Sequence, residues 1–256
     1  MLTLASWNVN SLTVRLEQVL AWLASTGVDI LCLQETKVVD EQFPVAAFES
    51  QGFHVAFSGQ KAYNGVAMIS RHPLSEVTMG IPGWDDPQRR VLAATVDGIR
   101  LINLYVPNGA AVGTDKYAYK LAWLDKVTDY IQHELSTHQR LSVVGDFNIA
   151  PEDRDVHAPE EWLGCVLVSP DERAAFSRLL ALGLTDSFRD FSQDEQAFSW
   201  WDYRAGGFQR NRGVRIDHIL LSEALRKRCV SSDIDVAPRR AVRPSDHAPV
   251  RVTLTE

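Results

Sequence analysis

Two apolar runs, Val91 to Val96 and Ile99 to Tyr105, meet at Asp97-Gly98, a dipeptide suited to the tight turn of a two-residue β-hairpin. An antiparallel pair in mid-chain excludes a purely doubly wound parallel sheet. Around it, short apolar strands alternate with amphipathic helices. Leu2 to Trp7, Ile30 to Leu33, Val66 to Ile69, Leu141 to Val144, Ile216 to Leu221 and Pro249 to Leu254 read as strands that are apolar on both sides, and therefore covered on both faces. Leu12, Leu16, Val19, Leu20 and Leu23 recur at helical spacing, as do Leu124, Val127, Ile131 and Leu135. Ser169-Pro170-Asp171-Glu172 sets cap, first-turn proline and capping-box glutamate in order, so a helix starts there and ends near Gly183. A short basic helix is expected over Ser222 to Arg228. Two mixed β-sheets packed face to face, with helices outside, satisfy this pattern as a layered α/β sandwich.

A chain of 256 residues is near the upper size for one hydrophobic core. No low-complexity tract or Gly/Ser linker marks a boundary, so residues 1–256 are read as a single domain. No apolar run approaches the roughly 20 residues of a membrane span, and Ser6, Asn8 and Asn10 interrupt the N-terminal apolar stretch, so a cytoplasmic protein is expected. Cys32, Cys165 and Cys229 lie far apart without metal-ligand spacing, and disulfides are not expected.

The formal charge of −7 argues against a sequence-independent nucleic-acid coat, which is normally basic. The charge is uneven, however. From Trp200 to Glu256 there are eleven Lys or Arg against seven Asp or Glu, a balance of +4 that leaves −11 for the rest. An acidic metal site beside a basic patch gives such a distribution.

The polar residues fall in or beside strands, mostly at their ends: Asn8, Glu35, Tyr105, Asp146 with Asn148, Asp217, and Asp246 with His247. Any one alone reads as a turn former or cap. Gathered on one rim, they make an acidic pocket with one histidine. Glu35 follows an apolar strand directly, so its carboxylate needs solvent or a cation. Magnesium, held by one or two carboxylates plus water and phosphate, is such a cation. Asp146 could take a proton from water or orient it, with Asn148 holding the carboxylate. His247 could donate to a phosphate or leaving oxygen if a second carboxylate, with Asp217 the candidate, fixes its other nitrogen. His218 points to the opposite strand face and reads as structural. A metal, a base and a charged donor make up metal-assisted phosphodiester hydrolysis. No serine or cysteine sits in a nucleophile elbow, and no glycine-rich loop of the nucleotide-triphosphatase type is present.

At this point the sequence resembles the exonuclease III family (abasic-site endonucleases and exodeoxyribonuclease III) of the endonuclease/exonuclease/phosphatase superfamily. The matching pieces are Ser6-Trp7-Asn8-Val9-Asn10-Ser11-Leu12, Leu33-Gln34-Glu35-Thr36-Lys37, Tyr63-Asn64-Gly65-Val66-Ala67, Asn103-Leu104-Tyr105-Val106-Pro107-Asn108-Gly109, Gly145-Asp146-Phe147-Asn148, Arg215-Ile216-Asp217-His218 and Ser245-Asp246-His247-Ala248-Pro249. Their order is the family's, and they span nearly the whole chain. The resemblance implies a four-layered α/β sandwich with the site at one rim. It implies that Glu35, with Asn8 and Asp246, binds magnesium, for which manganese can substitute, and that Asp146 and Asn148 offer a place for a second ion. Asp146 would activate the water, Tyr105 and His247 would contact the scissile phosphate, and Asp217 would orient His247. The implied substrate is double-stranded DNA with abasic sites, nicks or 3′ ends, cut by a monomer to leave a 3′-hydroxyl.

Phe198-Ser199-Trp200-Trp201-Asp202-Tyr203-Arg204, followed by Arg210, Arg212 and Arg215, mixes aromatics with arginines. A packed surface loop with solvated arginines is one reading. The other is a DNA-contacting loop, with Trp201 against a sugar or base and the arginines on phosphates. That stretch also resembles the loop by which the exonuclease III family enters DNA. Lys116 is a further backbone contact on this reading, whereas Arg239, Arg240 and Arg243 read as plain surface charge. A phosphoinositide or sphingomyelin phosphodiesterase is disfavoured by this loop and by the lack of a membrane-binding segment. A catalytically dead DNA-binding module would have lost Glu35, Asp146 or His247, and all three are present. How activity divides between abasic incision and 3′-end processing is left open, with Trp201, Phe208 and the loop after Gly164 the places that decide it.

Overall fold

The structure, a computed structural model, describes residues 1–255. In chain order the first elements are β1 (Leu2–Asn8), α1 (Leu12–Thr26), β2 (Ile30–Gln34), α2 (Val45–Glu49), β3 (His54–Ser58), β4 (Val66–Ser70) and β5 (Ser75–Met79). The central part comprises β6 (Val91–Val96), β7 (Ile99–Tyr105), α3 (Asp115–Thr137), β8 (Leu141–Asp146), α4 (Pro170–Ala181) and β9 (Leu184–Asp186). The last part adds β10 (Trp200–Trp201), β11 (Gly213–Val214), β12 (Asp217–Ser222), α5 (Glu223–Arg226), β13 (Cys229–Ile234) and β14 (Val250–Leu254).

One six-stranded sheet runs β13-β14-β1-β2-β4-β3 and the other β5-β6-β7-β8-β12-β9. Both are mixed. β1 with β2 and β7 with β8 are parallel, while their flanking pairs are antiparallel. The hairpin at Asp97-Gly98 joins β6 to β7 in continuous register.

Three apolar layers hold the sheets and helices. Leu4, Ile30, Cys32, Met68, Leu101, Val144, Ile219 and Val252 fill the space between the sheets. Ala5, Trp7, Leu31 and Leu33, the alternate residues of β1 and β2, pack outward on Val19, Trp22 and Leu23 of α1 and Phe48 of α2. On the other side Ile102, Leu104 and Val143 meet Trp123, Leu124 and Val127 of α3 and Phe176 of α4. The strands are thus apolar on both faces because each sheet is sandwiched, giving the expected four-layered α/β architecture.

The layer between the sheets is not wholly apolar. Gln34 Nε2 donates to Ser6 Oγ at 3.0 Å and to Asn103 Oδ1 of the opposite sheet at 2.8 Å. Asn103 Nδ2 donates back to the carbonyls of Leu33 and Ala67, at 2.9 and 3.0 Å. All three side chains are fully buried.

The helix at Ser169 begins as expected, with Ser169 and Glu172 forming the reciprocal capping box. The helix expected over Ser222 to Arg228 is shorter, the single turn Glu223–Arg226. β5 and β13 escaped the sequence reading because they are edge strands. β5 is exposed along most of its length, so it carries little alternation to read.

Candidate active site

The ladders themselves bring the polar residues together. Tyr105 pairs with Asp146 across β7 and β8, and Asp146 pairs with Asp217 across β8 and β12, so three site residues stand abreast at one end of one sheet. Asn8 ends β1 beside Gln34, the last residue of β2, and Glu35 follows at once. His247 precedes β14 and pairs with Trp200 of β10, which lays the aromatic loop on the histidine segment. Gly145 lets this rim close. A side-chain carbon there would lie 1.9 Å from the Leu104 carbonyl oxygen, so only glycine lets β7 and β8 approach beside Asp146.

Asp146 is enclosed by donors. Asn8 Nδ2 reaches its Oδ2 at 2.9 Å, and the Asn148 backbone N–H reaches its Oδ1 at 2.9 Å. Asn148 Nδ2 lies 3.3 Å from Oδ2 and also donates to the Val106 carbonyl, while Asn108 donates to the Asn148 oxygen. Burial lifts the Asp146 carboxyl to about 7, with His247 pulling it down and Asp217 adding to the rise. His247 Nδ1 donates to Asp217 Oδ2 at 2.9 Å, and its Nε2 lies 3.8 Å from Asp146. Burial alone would strip the proton from His247, but Asp217 and Asp146 reverse this and raise it to about 10. The pocket thus holds an imidazolium next to a carboxylate poised near neutrality.

A second set of oxygens lies on the β1–β2 side. Glu35 Oε1 accepts from Asn8 at 2.9 Å and from the Tyr105 hydroxyl at 2.8 Å. Burial works against the Glu35 charge, but the Lys37 ammonium and the Asn8 amide hold its carboxyl below the ordinary range. Lys37 Nζ sits 2.9 Å from Glu35 Oε2 and 2.6 Å from Asn10 Oδ1. Asn10 Nδ2 in turn donates to Asp246 Oδ1 at 3.0 Å, and Trp200 Nε1 to Asp246 Oδ2 at 3.0 Å. An ammonium lodged among these oxygens shows a niche that fits a hard cation. Glu35, Asp146 and His247 also bring potential ligand atoms within 4.8 Å of one another. A protonated imidazole has no lone pair to offer, however, so His247 belongs with the donors. Asn10, Glu35 and Asn148 adopt left-handed φ of 43°, 52° and 49°, a local backbone conformation that sets where their side chains point.

Residues 5–247 match the Endonuclease/Exonuclease/phosphatase family. The chain is 37% identical to the exodeoxyribonuclease III of Haemophilus influenzae, over 96% of this chain and 97% of that one. It belongs to this family, in its exonuclease III branch. Among solved structures, the 3′ phosphatase NExo from Neisseria, bound to a product DNA hairpin, matches with a TM-score of 0.98 at 46% identity, covering 100% of both chains. An AP endonuclease from Archaeoglobus fulgidus matches with a TM-score of 0.96 at 39% identity, again over 100% of both chains.

Within this family fold, the structure gathers Asn8, Glu35, Tyr105, Asp146, Asn148, Asp217, Asp246 and His247, but it corrects several expected roles. Asn8 turns its amide nitrogen to the two carboxylates, and its oxygen accepts the Asn10 backbone N–H at 3.0 Å. Both ends of the Asn8 amide are thus engaged within the protein, and the Asn10 amide oxygen accepts from the Lys37 ammonium. Trp201 is 2% exposed, packs edge-on against Phe208 and donates to Asn211, so it cannot meet a nucleotide. Strand alternation turns Trp200 outward instead. Arg215 is equally buried, held by Asp155 at 2.6 Å and Asp186 at 2.7 Å, and is no phosphate contact. Arg204, Arg210 and Arg212 are exposed. Arg204 and Arg212 line a cavity of about 370 Å³ with Trp162 and Trp200. Lys116 is exposed and lies apart, lining a cavity of about 490 Å³ with Tyr63, Arg90 and Asn108.

Arg239 is not plain surface charge. It is 6% exposed, with its guanidinium 5.0 to 5.7 Å from the rings of Phe208, Trp201 and Tyr203, and it donates to the Ser245 carbonyl. His218 is structural as expected, its Nε2 donating to the Ile149 carbonyl and its Nδ1 accepting from Arg215. Asn10, Lys37 and Trp200 are the site residues that sequence reasoning left without a role. Alternation in the Trp-Trp pair signals that one ring faces in and the other out, but not which. Lys37 folds back on Glu35 through left-handed backbone, which no periodicity reveals.

Proposed function

We propose that this chain is a magnesium-dependent DNA repair nuclease that hydrolyses phosphodiesters in duplex DNA at 3′ ends and 5′ to abasic sites, leaving a 3′-hydroxyl. The observation that carries the reading is the row Tyr105, Asp146, Asp217 on adjacent strands, with His247 bonded to Asp217 and facing Asp146. The Neisseria relative bound to a DNA hairpin and the exodeoxyribonuclease and AP endonuclease relatives support the substrate class.

Glu35, Asp246 and the Asn10 oxygen would hold the magnesium ion, which when bound supplies a Lewis acid to a phosphate oxygen. Asp146, its oxygens aligned by Asn8 and Asn148, orients the attacking water and takes its proton. His247 stays protonated under the Asp217 and Asp146 charges and donates from Nε2 to a phosphate oxygen. Burial pushes the Tyr105 hydroxyl well above its ordinary range, with Glu35 and Asp146 adding to the shift, so it remains a neutral donor to the phosphate. The two cavities flanking this centre would take the strand on either side, with Lys116 and Arg90 on one flank and Trp200, Arg204 and Arg212 on the other.

The test uses two labelled duplexes, one with an internal abasic site and one with a recessed 3′ end, in magnesium or in chelator. Cleavage that requires magnesium and is lost in Asp146→Asn and Glu35→Ala is expected, and the preferred duplex assigns the division of activity. Failure to cut either duplex with any divalent metal would overturn the nuclease reading.

A further inference from the structure

Behind the pocket lies a charge that this chemistry does not use. Lys120, in the second turn of α3, is completely buried, and so is its partner Glu172 at the start of α4. Isolated charges are rarely buried so deeply, and such pairs are costly to desolvate. Glu172 already has other donors, namely the backbone N–H of Leu167 at 3.1 Å and of Ser169 at 3.0 Å, and the Ser169 hydroxyl at 2.6 Å. Satisfying that carboxylate therefore does not explain the lysine.

The other two ammonium contacts lead to the active site. Lys120 Nζ donates to the carbonyl of Asn148 at 2.7 Å and to that of Asn108 at 3.1 Å. These two residues join through their side chains at 3.1 Å. Asn148, in its left-handed conformation, presents its backbone N–H and its amide to Asp146. One ammonium thus pins the backbones of the two loops, after β7 and after β8, whose asparagines bond to each other and, through Asn148 alone, to the Asp146 carboxylate. Gly109 lets the lysine stem pass, since a side-chain carbon there would lie 3.1 Å from Lys120 Cδ and 3.2 Å from Val166 Cγ2.

We propose that Lys120 is a positioning residue for the reaction, holding Asn108 and Asn148 by their carbonyls so that Asn148 keeps Asp146 aimed at the attacking water. It touches neither substrate nor metal. The proposal rests on the nuclease reading above.

The test is a double-mutant cycle with Asn148 on the labelled duplexes. Lys120→Met is made alone and together with Glu172→Gln, the second form removing the carboxylate that would otherwise be stranded and could prevent folding. Thermal melts establish the folded fraction at the assay temperature. In the folded variant kcat is expected to fall about 10²-fold, with KM changed less than about threefold, as for a displaced catalytic group. In an Asn148→Ala background the same change should cost less than about threefold more, because the residue it acts through is gone. Equal fold-losses in both backgrounds, or a loss confined to KM, would overturn the proposal. Wild-type protein that cuts no DNA overturns the functional reading instead. The side-chain amide NMR signal of Asn148, assigned by its disappearance in Asn148→Ala, then still reports on Lys120. A shift in the folded Lys120 variant supports the proposal, and an unmoved signal overturns it.

Discussion

Asp146 and Asp217 face each other in register on antiparallel β8 and β12, yet His247 bonds to only one of them, 2.9 Å from Asp217 through Nδ1 and 3.8 Å from Asp146 through Nε2. That asymmetry separates two chemically identical groups. Asp217 is committed to the imidazole, while the Asp146 oxygens are held by the amides of Asn8 and Asn148. Asp217→Asn removes the charge that keeps His247 protonated and leaves the ring in place. The expected result is a fall in kcat of roughly 10³-fold with little change in KM. Steady-state kinetics, with the His247 protonation state followed by ¹⁵N NMR, check it.

Trp200 donates to Asp246 from the indole nitrogen. Outer partners of this kind typically tune metal affinity by ten- to a hundredfold. Trp200→Phe keeps the aromatic wall and loses the donor, so the magnesium concentration for half-maximal activity should rise by about 10-fold. A magnesium titration at saturating DNA measures this, and an unchanged midpoint would count against Asp246 as a ligand.

Arg239 is held by three rings and one carbonyl rather than by a carboxylate at contact distance. Arg239→Leu should release the loop carrying Tyr203 and Phe208, with a stability loss on the order of 1–2 kcal/mol. KM for DNA should rise by roughly 10-fold, the cost of ordering that loop on binding. Arg239→Lys should rescue little, since an ammonium cannot stack. Denaturant melts and kinetics separate the two effects.

His218 is neutral in the folded protein. Burial and the adjacent Arg215 guanidinium lower it from 6.5 to about 4. The unfolded chain therefore binds more protons between those values, and the stability conferred by neutral His218 is complete above pH 6.5 and lost as pH falls toward 4. Asp146 works in the opposite direction. Its carboxyl is raised to about 7, so its contribution falls as pH rises from 3.8 to 7. Comparing wild type with His218→Gln isolates the histidine. The variant should gain on wild type by on the order of 2 kcal/mol between pH 6.5 and 4.5, read from denaturant melts in chelator.

The fold class was legible because hydrophobic patterning is a local signal. β2, β4 and β12 are buried on both faces and carry unbroken apolar runs, and β8, equally buried, is interrupted by Ser142. The gathering of Asp146, Asp217 and His247 could be read from their places at strand ends. Individual duties were harder. Whether Asn8 or Asn10 turns an oxygen toward a cation depends on side-chain rotation and on a left-handed residue, and neither leaves a periodic trace. Trp200 and Trp201 are chemically alike, and only pairing with Val214 and Gly213 decides which faces out. Arg215 and Arg239 look like surface cations in sequence because their partners, Asp155 and Asp186 in one case and three aromatic rings in the other, are brought from elsewhere in the chain.

The amide contacts between the sheets bear on how such an enzyme can be altered. Glu35 hangs from one sheet and Asp146 from the other, so the gap between these two carboxylates is set by how the two slabs slide. Apolar packing resists separation but is tolerant of shear. Gln34 and Asn103, reaching across with directional bonds, behave like a dowel through stacked plates. An exchange of residues on either rim therefore inherits its alignment from a joint buried out of its sight. Variants that loosen the joint would keep every reactive group and still lose the spacing between them.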